Sequence, residues 1–300
     1  MSVLAVVAPL LSLLAVAVPL LLVVGAVGRG LPRDASDEVD RAARRRVRTA
    51  SRVSVGVAVV ATVVVLALGD DLPLAVGPLG IGVLAVVAAT LLERSWPRPA
   101  GTVRTAAVRP RPAAPRFLQR VWVGSAASLA VLCVGGMLLS APDGRSLEVH
   151  WAGGAAGHSP FPGWRYSLPA LVALAVLVLA TRWGLRTVEG RPALDPAHEQ
   201  VDADARVTST ARLLRAAAVA TLVTVAAFAY VAGSALAQMA QTLRMNQAPV
   251  ALAPPFDWRQ DLGFALFGVM TAAVVLALVT LGAGPTRAPA PAAAADPVLR

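Results

Sequence analysis

Glu148, His150 and His158 are the side chains best suited to chemistry: two imidazoles and a carboxylate in one stretch, with Trp151, Trp164, Arg165 and Tyr166 around them. Neutral imidazoles and carboxylates ligate zinc and copper, so an outer-face metal site is one reading. The spacing argues against it. Glu148-x-His150 followed by His158 is no standard ligand pattern, and the third histidine, His198, falls in a loop on the other side of the threading set out below. Other chemistries lack their residues. All 27 basic residues are arginine, so no lysine can form a retinal or pyridoxal Schiff base, serve a phosphate loop or act as a base. Cys133 is alone, which leaves no intramolecular disulfide and no constraint on the redox compartment. No Gly-x-Ser-x-Gly elbow, His-Glu-x-x-His or Cys-x-x-Cys occurs. Nor do the arginines interleave with stacking aromatics as a nucleic-acid groove requires. No catalytic, cofactor-binding or metal-binding residue is therefore assigned, no cofactor is expected, and the chain reads as a non-enzyme.

The elements that must position these residues are hydrophobic. Of 300 residues 57% are hydrophobic and 15% charged, and mean hydropathy is +0.67, against about a quarter charged in a soluble domain. A membrane span needs about 20 predominantly apolar residues, because a helix must cross about 30 Å of hydrocarbon. Seven windows meet or approach this: 3–27, 53–69, 74–92, 121–141, 168–183, 216–237 and 262–283. The expected fold is all-α, a seven-span polytopic transmembrane bundle over 1–283, with a disordered Pro/Ala-rich tail at 284–300.

The segments between windows test that count. Arginines fall alternately in dense and sparse segments, 23 in one set and 4 (Arg145, Arg165, Arg244 and Arg259) in the other. Cytoplasmic loops carry the basic excess, so the expected threading has the N-terminus outside and the C-terminus inside the plasma membrane. The first window is preceded only by Met1-Ser2 and followed by arginines, which fits a retained helix rather than a signal peptide. Ser36 can cap a helix whose first turn carries Asp37 and Glu38 and whose later turns carry Arg44, Arg45, Arg46 and Arg48. These inner-loop arginines could meet anionic lipid head groups. Asp70-Asp71-Leu72-Pro73 reads as a tight outer turn, and Gly101 to Val108 as a short strand within a Pro/Arg-rich segment.

Within the windows the polar groups are mostly hydroxyls, among them Thr90, Ser125, Ser128, Thr221, Thr224 and Thr271, which are expected to bond back to their own helix or to a neighbour. Gly124 and Ser128 stand four apart, as small residues do where helices approach closely. Gly77, Gly80 and Gly82 beside Pro78 could make a close contact or an unwound stretch. Gln238 to Asn246 extends the sixth helix with polar residues. The outer segments 142–167 and 238–261 could form a lid, and Trp151, Phe161, Trp164, Tyr166, Phe256 and Trp258 an interfacial aromatic belt or a folded cap.

The run Glu93-Arg94-Ser95-Trp96-Pro97-Arg98-Pro99-Ala100-Gly101-Thr102-Val103-Arg104, after an apolar span, resembles segments of uncharacterised multi-pass membrane proteins of high-GC actinobacteria. The resemblance covers about a tenth of the chain and implies a membrane location without bringing a catalytic or binding residue. The leading expectation is a non-enzymatic accessory, scaffold or sensor component with a membrane or cytoplasmic protein partner and no nucleic acid. A small-molecule carrier with a three-plus-one-plus-three helix plan is the alternative, and an outer-face metal-dependent enzyme using Glu148, His150 or His158 the second.

Overall fold

In a computed structural model, the described residues are 71–94, 115–151, 154–191, 199–245 and 257–283, with helical positions scattered between 45 and 63. The window 3–27, the capped helix start at Ser36, the strand at 101–108, Phe256, His198 and the tail 284–300 lie outside them. Five described helices are long and apolar enough to cross a membrane: α1 (Asp71–Arg94), α2 (Arg116–Leu139), α3 (Trp164–Glu189), α4 (Glu199–Met245) and α5 (Trp258–Gly282). They correspond to the last five windows. Positions 55–61, inside the second window, are helical as well.

Two features depart from an all-α expectation and from the windows. A two-stranded antiparallel hairpin, β1 (Leu147–Trp151) and β2 (Gly154–His158), joins α2 to α3. And α4 runs 47 residues without a break, about 70 Å at 1.5 Å per residue where hydrocarbon needs about 30 Å. Its apolar middle is long enough to cross a membrane, and its arginine-bearing start and its polar end, to Met245, extend beyond that middle.

This length makes α4 the pillar of the bundle. In its most apolar stretch 78% of residues are buried, against 22% to 39% in the other four helices. A helix enclosed all round must be narrow, and the buried face of α4 is rich in alanine, including Ala217, Ala218, Ala220, Ala226 and Ala229. Small side chains let backbones approach, and packing rather than hydrophobicity holds helices together in lipid. Gly82 of α1 sits where a Cβ would come 2.5 Å from Ala220 Cβ, and Gly233 of α4 faces Gly263 of α5, where either Cβ would reach the other's carbonyl oxygen at 2.9 Å. Leu79, Val86, Leu129, Cys133, Leu177 and Phe228 fill the space around these contacts.

Two local expectations are corrected, and a third is decided between its alternatives. Asp71, Leu72 and Pro73 form the first turn of α1, not a free loop, since proline's missing donor is harmless in a first turn. The glycines beside Pro78 leave α1 continuous: Gly82 makes the close contact and Gly80 faces open space. Gly124 and Ser128 lie on the outward face of α2, with nothing within 4 Å of a Cβ built at Gly124.

Candidate functional site

Polar side chains collect at the two ends of the bundle, and the middle is left to hydroxyls that bond to their own helix. Thr90, Thr221, Thr224 and Thr271 each donate to the carbonyl four residues back, and Ser125 to the one three back. That satisfies the hydroxyl without a partner helix, as expected.

At one end the hairpin lies on the projecting part of α4. Leu147, Ala156 and Phe161 pack with Leu236, Met239 and Leu243, with Val149 and Trp151 alongside. The turn before β1 is set by Asp143, whose Oδ1 accepts from the backbone N–H of Arg145 and of Ser146, both at 3.0 Å, and from the Ser146 hydroxyl at 2.8 Å. The Arg145 N–H first, and then Ser146, hold this carboxyl below its ordinary range. Gly144 follows at φ 68°, where a Cβ would strike the Trp164 ring, so only glycine fits the turn.

The register decides what Glu148, His150 and His158 can do together. Leu147 pairs with His158 and His150 with Ala155, and cross-strand partners share a face while neighbours alternate. Glu148 and His150 are therefore on the outward face, 3.4 Å apart as a contact between exposed groups. His158 is on the face toward α4, with Nε2 3.3 Å from the Thr242 hydroxyl. Burial there pushes the imidazole pKa down and favours the neutral ring. The three do not converge, and no group of three ligating side chains forms among the described residues. The aromatic residues divide: Trp164 and Trp258 are half exposed as in a belt, whereas Phe161 and Tyr166 are core.

The opposite end holds the larger constellation, which the sequence reading did not find. Glu93 at the end of α1, Arg191 just past α3, and Asp202, Arg206, Ser209 and Arg212 on α4 form one buried cluster. Arg191 donates from Nη1 to Glu93 Oε2 at 3.4 Å and from Nη2 to Asp202 Oδ1 at 2.7 Å. Ser209 donates to Glu93 Oε1 at 2.5 Å, and Arg212 Nη1 lies 3.9 Å from the same oxygen. Arg206 Nε donates to Asp202 Oδ2 at 2.9 Å. The Arg191, Glu93 and Asp202 side chains are 1% to 3% exposed, so each charge is out of water and must be met by the others.

Two arginines of α4 also finish other helices. Arg206 reaches the last carbonyls of α3, at Val188, Glu189 and Arg191, and Arg215 those of α5, at Thr280 and Ala283. Helix C-termini leave carbonyls unpaired and carry partial negative charge, so a guanidinium there acts as a cap. The cluster thus clamps the ends of α1 and α3 to α4, and Arg215 does the same for the end of α5. The cluster's one legible sign was the i, i+4 pair Asp202 and Arg206.

Comparison with known protein families, with characterised proteins and with solved structures gave no match.

Proposed function

We propose that the chain is a non-enzymatic multi-pass component of the plasma membrane, a scaffold whose two polar ends present fixed surfaces to a protein partner. In this reading seven spans thread the membrane, the hairpin lies outside, and the ionic cluster lies on the cytoplasmic side with the dense arginine segments. The observation that carries it is the filling of the bundle at mid-span. Around the middle of α4, Leu79, Val86, Leu129, Leu177 and Phe228 meet alanines, and every hydrogen bond recorded there for a threonine closes on its own helix. A carrier requires polar groups converging near mid-membrane, and a metal-dependent enzyme would require Glu148 and the two histidines on one face. Charge is instead spent on holding helices together.

The test is purification of the full-length chain in mild detergent, with crosslinking before extraction. A stoichiometric protein that co-purifies and is lost when the exposed hairpin face is altered (Glu148→Ala with His150→Ala) is the expected result. A chain that emerges alone, and that in liposomes exchanges labelled amino acids or sugars above the empty-vesicle rate, would overturn the proposal.

A further inference from the structure

On three helices the outward stripe changes from aliphatic to guanidinium at the same end of the bundle. Along α3 the exposed face runs through Leu168, Val172 and Leu179 and then reaches Arg182 and Arg186. On α2, which runs the other way, exposed Arg116 and Arg120 precede the exposed Val123 and Val131. Along α1, Leu84 and Leu91 lead to exposed Arg94. Two contacts set these arginines at one level. The Arg94 guanidinium lies over the Trp183 ring, 5.8 Å from its centroid, joining α1 to α3. Leu118 and Leu185 pack in one apolar cluster with Ala211 and Leu214 of α4, which sets α2 and α3 at the same height on that helix.

These five differ from Arg191, Arg206 and Arg215, whose guanidiniums turn inward onto carboxylates or helix carbonyls. Their neighbours suit the edge of a bilayer: Phe117 is 45% and Trp183 36% exposed, and aromatic rings concentrate at that depth. A guanidinium on a stem that leaves an apolar face reaches for the phosphate layer, and its planar fork matches a phosphodiester. Arg116 with Arg120, and Arg182 with Arg186, each stand one helical turn apart, so paired forks line two adjacent helix edges. Glu189 is the exposed acid nearest to them in sequence.

We propose that Arg94, Arg116, Arg120, Arg182 and Arg186 form a site for the head group of an anionic phospholipid, held by its phosphate. The experiment places the full-length protein in nanodiscs of equal parts phosphatidylglycerol and phosphatidylcholine, extracts it again in mild detergent, and reads the retained lipid by native mass spectrometry. Wild type should keep phosphatidylglycerol in preference to phosphatidylcholine. R116Q/R120Q and R182Q/R186Q should each lower that retention by about thirtyfold, from about 1 kcal/mol for each of the two arginines at a charged surface. R145Q/R165Q, which alters exposed arginines at the hairpin end, should leave it unchanged. Because both test pairs are exposed, their melting temperatures should match wild type, so a loss of lipid reads as a loss of site. Equal retention of the two lipids, an equal loss in R145Q/R165Q, or an acidic protein released by the same substitutions while lipid stays bound would each overturn the proposal.

Discussion

Taking a guanidinium out of water costs several kcal/mol unless its donors are met, and Arg191 meets Glu93 on one side and Asp202 on the other. Removing either acid leaves a buried positive charge with one carboxylate fewer. Asp202→Ala strips a partner from both Arg191 and Arg206 and should cost about 3–5 kcal/mol, read as a lower melting temperature in detergent micelles. Glu93→Ala with Arg191→Ala should cost less than the two singles added together, because contacting charges are not additive. Arg145→Ala at the hairpin end is the contrast: its ion pair with Asp143 is 56% and 39% exposed, and such pairs are worth about 0–1 kcal/mol. Equal melting of Asp202→Ala and Arg145→Ala would contradict the buried clamp. The sequence placed Arg191, Arg206, Arg212 and Arg215 together on one side, but as membrane anchors. Their burial was not legible, because Glu93 and Ser209 meet across 116 residues and no local pattern pairs them.

Helices were legible where apolar runs were unbroken, and less so where charge or glycine entered. The windows at 74–92 and 262–283 lie within α1 and beside α5 with small changes at their ends. The start of α4 could not be read as helix from apolarity, since Asp202, Arg206, Arg212 and Arg215 resemble a loop until one sees that the first and last turns of a pillar this long stand clear of the hydrocarbon. The hairpin was hidden for a different reason: Gly154-Ala155-Ala156-Gly157 has little strand preference, and only the alternation Leu147, Val149, Trp151 marks the buried face of its partner. Glycines likewise needed the packed bundle. Gly233→Ala would push a methyl toward the Gly263 carbonyl at 2.9 Å, and α5, whose buried residues are few and small, would have to move away. A cost of about 1–3 kcal/mol is expected for such overpacking. Gly124→Ala meets nothing and should raise stability by up to about 1 kcal/mol through helix propensity. Thermal melts of the two variants should therefore shift in opposite directions. A lower melting temperature for both would mean that the outward face of α2 is packed after all.

For the molecule as a whole, the spacing of arginines along the chain becomes a division in space. Arg94 reaches Trp183, Arg191 reaches Glu93 and Arg215 reaches Ala283, so the ends of α1, α3 and α5 and the start of α4 share one level. Arg145 and Arg165 lie with the hairpin turn at the opposite end, where the Arg165 N–H donates to the Gly144 carbonyl. The five described helices, four of them about the pillar α4, alternate in direction as the proposed threading requires. Which end faces the cytoplasm follows from the basic excess alone and can be tested by thiol labelling. Cys133 is buried, so it should stay unlabelled in the folded chain, and Cys133→Ala gives a background without thiols. On that background Ser159→Cys, at an exposed position beside the hairpin, should react with a membrane-impermeant maleimide on intact cells. Glu189→Cys, exposed at the arginine-rich end, should react only after the membrane is opened. The reverse pattern would invert the threading and leave the bundle, its clamp and its arginine edges intact, whereas labelling of both sites on intact cells would mean that these ends do not lie on opposite sides of a membrane.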